Sequence, residues 1–248
     1  MKFIGIIPAR YASTRFPGKP LAEIGGKTVI RRVYEQASKA LDTVLVATDD
    51  DRIYDAVEAY GGKVVMTRAD HRCGTDRCLE AYMAITTPAW REQNDKDTVI
   101  INIQGDEPFI QPEQIETLMA CFDKEDTQIA TLIRPFTDKD GHADLENPNY
   151  PKVDWDSKTG EAKMFSRKVI PPHGPYYRHI GIYAYRADIL AQITQLSPSP
   201  LEIAERLEQL RWLENGYHIH IGVTDQMTIG IDTPEDLEKA INWYKYNG

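Results

Sequence analysis

Cysteine is scarce in this chain of 248 residues, with only Cys73, Cys78 and Cys121. An odd number without a C-x-x-C spacing offers no disulfide frame and reads as reduced thiols in a cytosolic protein. The group His71, Cys73 and Cys78 does not have the spacing of a usual zinc site, and His218 and His220, read as sharing one strand face, supply two ligands where a metal needs more. Long apolar runs are missing as well. None approaches the length of a bilayer span, and no signal-peptide pattern follows Met1. Positive charge is in deficit overall: 29 Lys and Arg stand against 38 Asp and Glu, a formal net charge of −9. That balance argues against a general nucleic-acid or membrane-surface binder. Repeats and low-complexity tracts are also lacking.

Apolar residues make up 42% and charged residues 27% of the chain, ordinary for a globular protein. A globule this long buries about 75% of its unfolded surface, so a sizeable core is expected. Strand-like and helix-like segments alternate. "KFIGII", "TVLVATD", "KVVMT" and "TVIINIQ" read as buried parallel strands. Between and after them, "TVIRRVYEQASKAL" (with Val29, Ile30, Val33, Ala37 and Leu41 at helical spacing), "DRIYDAVEAYGG", "DRCLEAYMAI" and "QPEQIETLMACF" read as helices. This rhythm predicts an α/β fold of three layers, a mostly parallel sheet with helices on both faces. Past residue 133 the pattern changes to a loop-like stretch, a hairpin around 157–160, and the strand "YYRHIGIYAYR". Helical pattern returns in "SPLEIAERLEQLRWLENG" and "IDTPEDLEKAINWYKY". The expected organisation is one domain over 1–248, with its core in 1–133 and 187–248 and a β-rich insertion at 134–186.

Against the acidic background, the loop after the first strand, "PARYASTRFPGKP", carries Arg10, Arg15 and Lys19, and the first acid of the chain is Glu23. It is not a Walker A loop, because Ser13 and Pro20 stand where glycine and Ser/Thr are needed. It lacks the three glycines of a dinucleotide fingerprint. Arginine forks and a lysine point charge suit phosphates, with Ser13 and Thr14 as small donors; the alternative is a solvated basic loop. In "QGDEP", Asp106 lies beyond a strand end and too early to cap the next helix. A carboxylate there suits Mg²⁺ with phosphate oxygens, or else a turn, and Gly105 permits close backbone approach. In "IDTPEDLE", Thr233 takes the N-cap, Pro234 the first helical position and Asp236 the third. Asp232 is left outside the helix, free to face Asp106. Arg77 sits in the first turn of a helix, where a cation opposes the dipole; a nearby anion would resolve the conflict, or the side chain is simply solvated. Strand alternation sends Tyr177, His179, Gly181, Tyr183 and Tyr185 to one face, which suits a sugar or is a half-solvated sheet face.

In order along the chain, "IIPARYASTRFPGKPL", "ATDD", "GTDR", "NIQGDEP", "NPN", "FSR", "RHIGIYAY", "SPLE", "LEQLR" and "IDTPEDLE" resemble the 3-deoxy-manno-octulosonate cytidylyltransferases, the CMP-Kdo synthetases of lipopolysaccharide assembly. The resemblance implies a nucleotide-diphospho-sugar transferase fold, a cytoplasmic homodimer, Mg²⁺ as cofactor, and the reaction CTP + Kdo → CMP-Kdo + pyrophosphate. By the same resemblance Arg10, Ser13, Arg15 and Lys19 line the triphosphate, while Pro8, Ala9, Arg77 and Gln104 face the cytidine. Asp106 and Asp232 hold the metal, and Arg167, His179, Tyr183, Glu208 and Gln209 surround the sugar acid. Catalytic roles fall to Lys19, Asp106 and Asp232. The insertion becomes a sugar cover and a dimer contact. Pro151 stands where the family has valine, Asp154 and Lys163–Met164 replace apolar and aromatic residues, and "PHGPYY" is short; these departures leave room for an 8-amino sugar. The rival readings are a sugar-1-phosphate nucleotidyltransferase, a glycosyltransferase and a non-catalytic nucleotide-binding regulator.

Overall fold

A computed structural model describes residues 1–138 and 140–247; Lys139, at the start of the stretch read as a loop, lies outside the described residues. The chain forms two compact units, Met1–Ile115 with Thr228–Gly248, and Glu116–Met227.

In the first unit the strands are β1 (Lys2–Ala9), β2 (Glu23–Ile24), β3 (Lys27–Thr28), β4 (Val44–Thr48), β5 (Val64–Met66) and β6 (Thr98–Asn102). The order β5-β4-β1-β6 is parallel throughout, with Ile7 opposite Val46 and Ile4 opposite Ile100. Every residue of β4 and β6 is buried, which is why these strands read as unbroken apolar runs instead of alternating ones. The helices begin where the caps predict. Thr28 accepts from the Arg31 N–H ahead of Val29–Ala40, and Asp50 accepts from the Arg52 N–H at 3.0 Å ahead of Asp51–Ala59. Helix Val29–Ala40 buries Val29, Ile30, Val33 and Ala37, the apolar positions its period picked out. At Pro234–Asn247 the Asp236 N–H donates to Thr233 Oγ1 at 3.2 Å, while the Thr233 N–H donates to the Asp236 carboxylate at 3.1 Å. That is the expected reciprocal cap, and it leaves Asp232 outside.

A small apolar cluster of Ile24, Val29, Phe109, Ile231 and Ala240, with Phe16, Leu237 and Ile241 packed on it, anchors three loops at once. Phe16 comes from the basic loop, Phe109 follows Asp106, and Ile231 precedes Asp232. Burial of these side chains fixes where the polar residues beside them emerge.

The second unit holds β7 (Ile129–Pro135), β8 (Lys152–Asp156), β9 (Glu161–Ser166), β10 (Tyr177–Arg186) and β11 (Ile219–Val223) in the order β10-β7-β11-β9-β8. Among the described residues of this unit β7–β11 pair in parallel and the other strand pairs are antiparallel. The β8–β9 hairpin turns at Gly160, whose φ of 81° is in the left-handed region. The helical stretch 199–216 is broken in two, Pro200–Glu205 and Gln209–Glu214, because Arg206 adopts φ 54° and its N–H closes onto the Glu202 carbonyl at 2.7 Å. His218 lies ahead of β11 and is exposed, its Nδ1 3.2 Å from the Glu161 carboxylate, whereas His220 is buried in the strand opposite Glu161. Among the described residues no helix is long and apolar enough to cross a membrane.

Candidate active site

The candidate nucleotide and metal residues of the first unit lie past the carboxyl ends of its parallel strands, where open parallel sheets place ligands. The loop after β1 folds on Tyr11, whose carbonyl accepts from the N–H groups of Ser13 (2.9 Å) and Gly18 (2.8 Å). Gly18 has φ 75°, and a Cβ there would meet the Tyr11 ring at 3.0 Å, so glycine is required at that bend. One short turn, Lys19–Leu21, then aims the Lys19 side chain inward, where it is 15% exposed.

The loop after β6 comes in close against β1. A Cβ on Gly105 would lie 2.8 Å from the Pro8 carbonyl oxygen, a backbone atom with no freedom to yield, and this bears out the close approach expected of that glycine. Asp106 is thereby set beside the basic loop. Its own carbonyl accepts from the Ile231 N–H at 2.9 Å, which brings the next residue, Asp232, alongside. The Lys19 ammonium pairs with the carboxylates of both Asp106 and Asp232, the latter at 3.3 Å, and Arg15 reaches Asp232 at 2.9 Å. A cleft of about 390 Å³ opens here. Pro8, Ala9, Arg10, Ser13, Arg15, Lys19, Arg77, Gln104, Asp106 and Asp232 all line it, together with Thr14, Cys73 and Gly74. All the residues singled out for nucleotide and metal are thus assembled in one place.

Arg77 is not a solvated arginine: it is 1% exposed, and its guanidinium donates to Asp49 at 2.8 Å and to Thr67 Oγ1 at 2.5 Å. The anion that answers its place at a helix start is the chain's own Asp49, from "ATDD". That pairing holds the guanidinium rigid in the cleft wall. Asp106 and Asp232 offer hard carboxylate oxygens that already converge on one cation, Lys19, so the donor set fits a small divalent ion such as Mg²⁺ that draws its remaining ligands from phosphate and water.

The five residues read as surrounding a sugar acid all belong to the second unit. The β10 register slips between Ile180 and Tyr183, and the face read as polar or half-solvated is instead buried among aromatic rings. His179 lies 5.2 Å from Phe165 and 5.3 Å from Tyr183, ring centre to ring centre, and Trp212 stands edge-on to Tyr183 at 5.1 Å. Burial first, then the Arg178 charge, lowers the His179 imidazole from 6.5 to about 3, so it is neutral. Thr131 Oγ1 donates to the Ile182 carbonyl at 2.7 Å and lies 2.9 Å from His179 Nε2. With its one proton committed, Thr131 accepts from His179, which puts the ring proton on Nε2 and leaves Nδ1 an acceptor. Burial raises the Tyr183 phenol well above its usual range, so it stays protonated. Tyr183 Oη, Gln209 Nε2 and Trp212 Nε1 are buried without a hydrogen-bond partner among the described residues. Glu208 accepts from Arg211 at 2.9 Å. Arg167 donates to the carbonyls of Glu205 (2.7 Å), Pro148 (2.9 Å) and Arg206 (3.2 Å), fastening the "NPN" loop to the end of a helix. Sequence reasoning missed Thr131 and Trp212. Trp212 carries no signal beyond core spacing, and Thr131 is identifiable only through the β7–β10 pairing.

A family model described as cytidylyltransferase matches residues 4–223. The 3-deoxy-manno-octulosonate cytidylyltransferase of Parabacteroides distasonis is 59% identical over 253 residues, covering 97% of each chain. Its counterpart from Bacteroides thetaiotaomicron is 57% identical, covering 99% of each. A solved structure of CMP:2-keto-3-deoxy-manno-octonic acid synthetase complexed with CTP is 40% identical, covers 100% of both chains and gives a TM-score of 0.89. A putative glucose-1-phosphate thymidylyltransferase from Bacillus anthracis, in complex with sucrose, gives a TM-score of 0.65 at 14% identity, a likeness of fold alone.

Proposed function

The chain belongs to the 3-deoxy-manno-octulosonate cytidylyltransferases, nucleotidyltransferases that join CTP and Kdo to give CMP-Kdo and pyrophosphate, and we propose that Lys19, Asp106 and Asp232 carry that reaction here. The observation that supports the assignment is the meeting of the two aspartates, one before the helix Pro112–Ala120 and one before the last helix, on Lys19 in a cation-rich cleft. By the family resemblance the product serves lipopolysaccharide assembly, and the enzyme works in the cytoplasm as a homodimer.

In this reading the triphosphate lies against Arg10, Ser13, Arg15 and Lys19, and the cytidine against Pro8, Ala9, Arg77 and Gln104. The anomeric hydroxyl of Kdo attacks the α-phosphorus in line, and its proton passes to solvent water. The P–O bond to the β-phosphate breaks, and the electron pair leaves with pyrophosphate. Nucleotidyl transfer of this kind depends on positioning and charge neutralisation. Lys19 and the arginines offset charge that builds on the leaving group. Cytidylyltransferases work with a divalent metal. Here Asp106 and Asp232 would hold Mg²⁺, which when bound makes the nucleophilic hydroxyl more acidic and neutralises phosphate charge, so no side-chain base is invoked. Arg167, His179, Tyr183, Glu208 and Gln209 recognise the sugar acid. The neutral His179, with Nδ1 as acceptor, takes a hydroxyl, and the buried donors of Tyr183 and Gln209 are satisfied by sugar oxygens.

Pyrophosphate release from each nucleoside triphosphate, with Kdo, its 8-amino analogue, sialic acid or a sugar 1-phosphate, with and without Mg²⁺, tests this reading. Release that needs CTP, Kdo and metal together supports it. Release with a sugar 1-phosphate in place of the sugar acid contradicts it.

A further inference from the structure

We propose that Lys19 and a divalent metal are alternative counter-ions of the Asp106–Asp232 pair, so that metal and triphosphate enter the cleft by ion exchange on this one side chain. The proposal rests on the reading of the two aspartates as metal ligands and deepens it.

Two carboxylates placed side by side repel each other unless a cation lies between them. The Lys19 ammonium fills that role, paired with both, on a side chain that is 15% exposed. Arg15 contributes less to the hold, since its side chain is 63% exposed and its pair with Asp232 is screened by water. Lys19 engages one oxygen of each carboxylate, and a dication drawn to the same pair would sit against a like-charged ammonium. A metal that binds there must therefore eject Lys19. The cleft that receives the ejected ammonium is lined by Arg10, Ser13 and Arg15, the residues assigned to the triphosphate.

Each ligand alone meets a penalty. Metal without triphosphate displaces Lys19 and gives it no anion in exchange. Triphosphate without metal draws Lys19 away and leaves two carboxylates uncompensated. Together the ions trade partners and every charge stays paired, which is positive coupling between the two ligands. Lys19 thus works first as a placeholder that keeps the two aspartates assembled and then as a phosphate ligand.

The test is Mn²⁺ binding to the nucleotide-free protein, read by the loss of the free-ion paramagnetic resonance signal. Lys19→Met is expected to bind Mn²⁺ about tenfold or more tightly than the parent, within the usual range of coupling between ligands, while Lys19→Arg stays near the parent. Equal or weaker Mn²⁺ binding by Lys19→Met overturns the exchange. Asp106→Asn supplies an independent arm. With one carboxylate gone, CTP in the presence of a chelator is expected to bind more tightly than to the parent; unchanged or weaker binding overturns the proposal by a route that does not need the Lys19 variant to fold. If Asp106→Asn leaves Mn²⁺ binding in the presence of CTP unchanged, the assignment of the metal ligands itself fails, and the exchange with it.

Discussion

The main-chain N–H of Ile231 donates to the carbonyl of Asp106 at 2.9 Å, so the loop after β6 and the segment entering the last helix are joined directly between the two aspartates. Ile231 and Phe109 share one apolar cluster, and Lys19 closes the arrangement from the third side. One backbone hydrogen bond and a buried cluster bring the two loops together, and the Lys19 ion pairs hold the two carboxylates side by side.

Asp106→Asn keeps the size and the backbone contact of the side chain but removes its charge. Turnover is expected to vanish while CTP still binds. Pyrophosphate release with a parallel calorimetric titration of CTP checks both halves, and near-normal turnover would remove Asp106 from the mechanism.

Lys19→Ala removes a cation from the leaving-group side of the cleft. The rate is expected to fall about a hundredfold or more, the scale on which one transition-state donor acts. A rise in KM with kcat unchanged would instead mark Lys19 as a ground-state binding group.

Gly105→Ala adds one methyl group against the Pro8 carbonyl, 2.8 Å away. Overpacking against a rigid neighbour costs about 1–3 kcal/mol, and here it also pushes Asp106 off Lys19. Tm and kcat are both expected to fall. A variant that keeps its kcat would show that the position of the loop does not set the chemistry.

The neutral His179 makes stability depend on pH in a definite direction. Its imidazole titrates at about 3 when folded and near 6.5 when free. Between those values the unfolded chain takes up a proton that the native one refuses, so stability falls as pH drops below about 6.5, with a slope approaching about 1.4 kcal/mol per pH unit. His220, also lowered by burial, adds in the same sense. Asp50, Asp140 and Asp236 are lowered by their hydrogen bonds despite partial burial. Their contribution is full above the ordinary aspartate range and is lost only in more acidic solution, so the window from pH 7 to pH 5 isolates the histidines. Thermal melting of the parent against His179→Gln over that window should show a shallower slope in the variant; an identical slope would mean that the imidazole is not held neutral.

How much of this was written in the sequence differs from element to element. The strands and caps of the first unit were legible because their signals are local: a continuous apolar run at β1, Thr28 and Asp50 before helices, Thr233 with Asp236 at the last cap. The candidate site was legible in part for the same reason, since a glycine beside Asp106 and an acid left outside a capping box are short-range patterns. What the sequence hid depends on contacts between distant segments. Lys19 looked like a phosphate ligand only, and its second partnership with two carboxylates is tertiary. Arg77 looked either solvated or waiting for a ligand, until β4 and β5 brought Asp49 and Thr67 to it. In β10 alternation holds, since His179, Tyr183 and Tyr185 lie ring against ring, but Phe165 and Trp212 from distant segments cover them, so a face read as wet is a packed aromatic layer. The break at Arg206 likewise rests on a left-handed residue that helical periodicity does not reveal.

The most direct test of the central claim is the anomalous signal of Mn²⁺ in crystals grown with CTP. A single strong peak within coordination distance of both the Asp106 and the Asp232 carboxylates, with the Lys19 ammonium moved onto the phosphates, is the predicted result. A nucleotide-bound Mn²⁺ that touches neither aspartate, with Lys19 still between them, would contradict it.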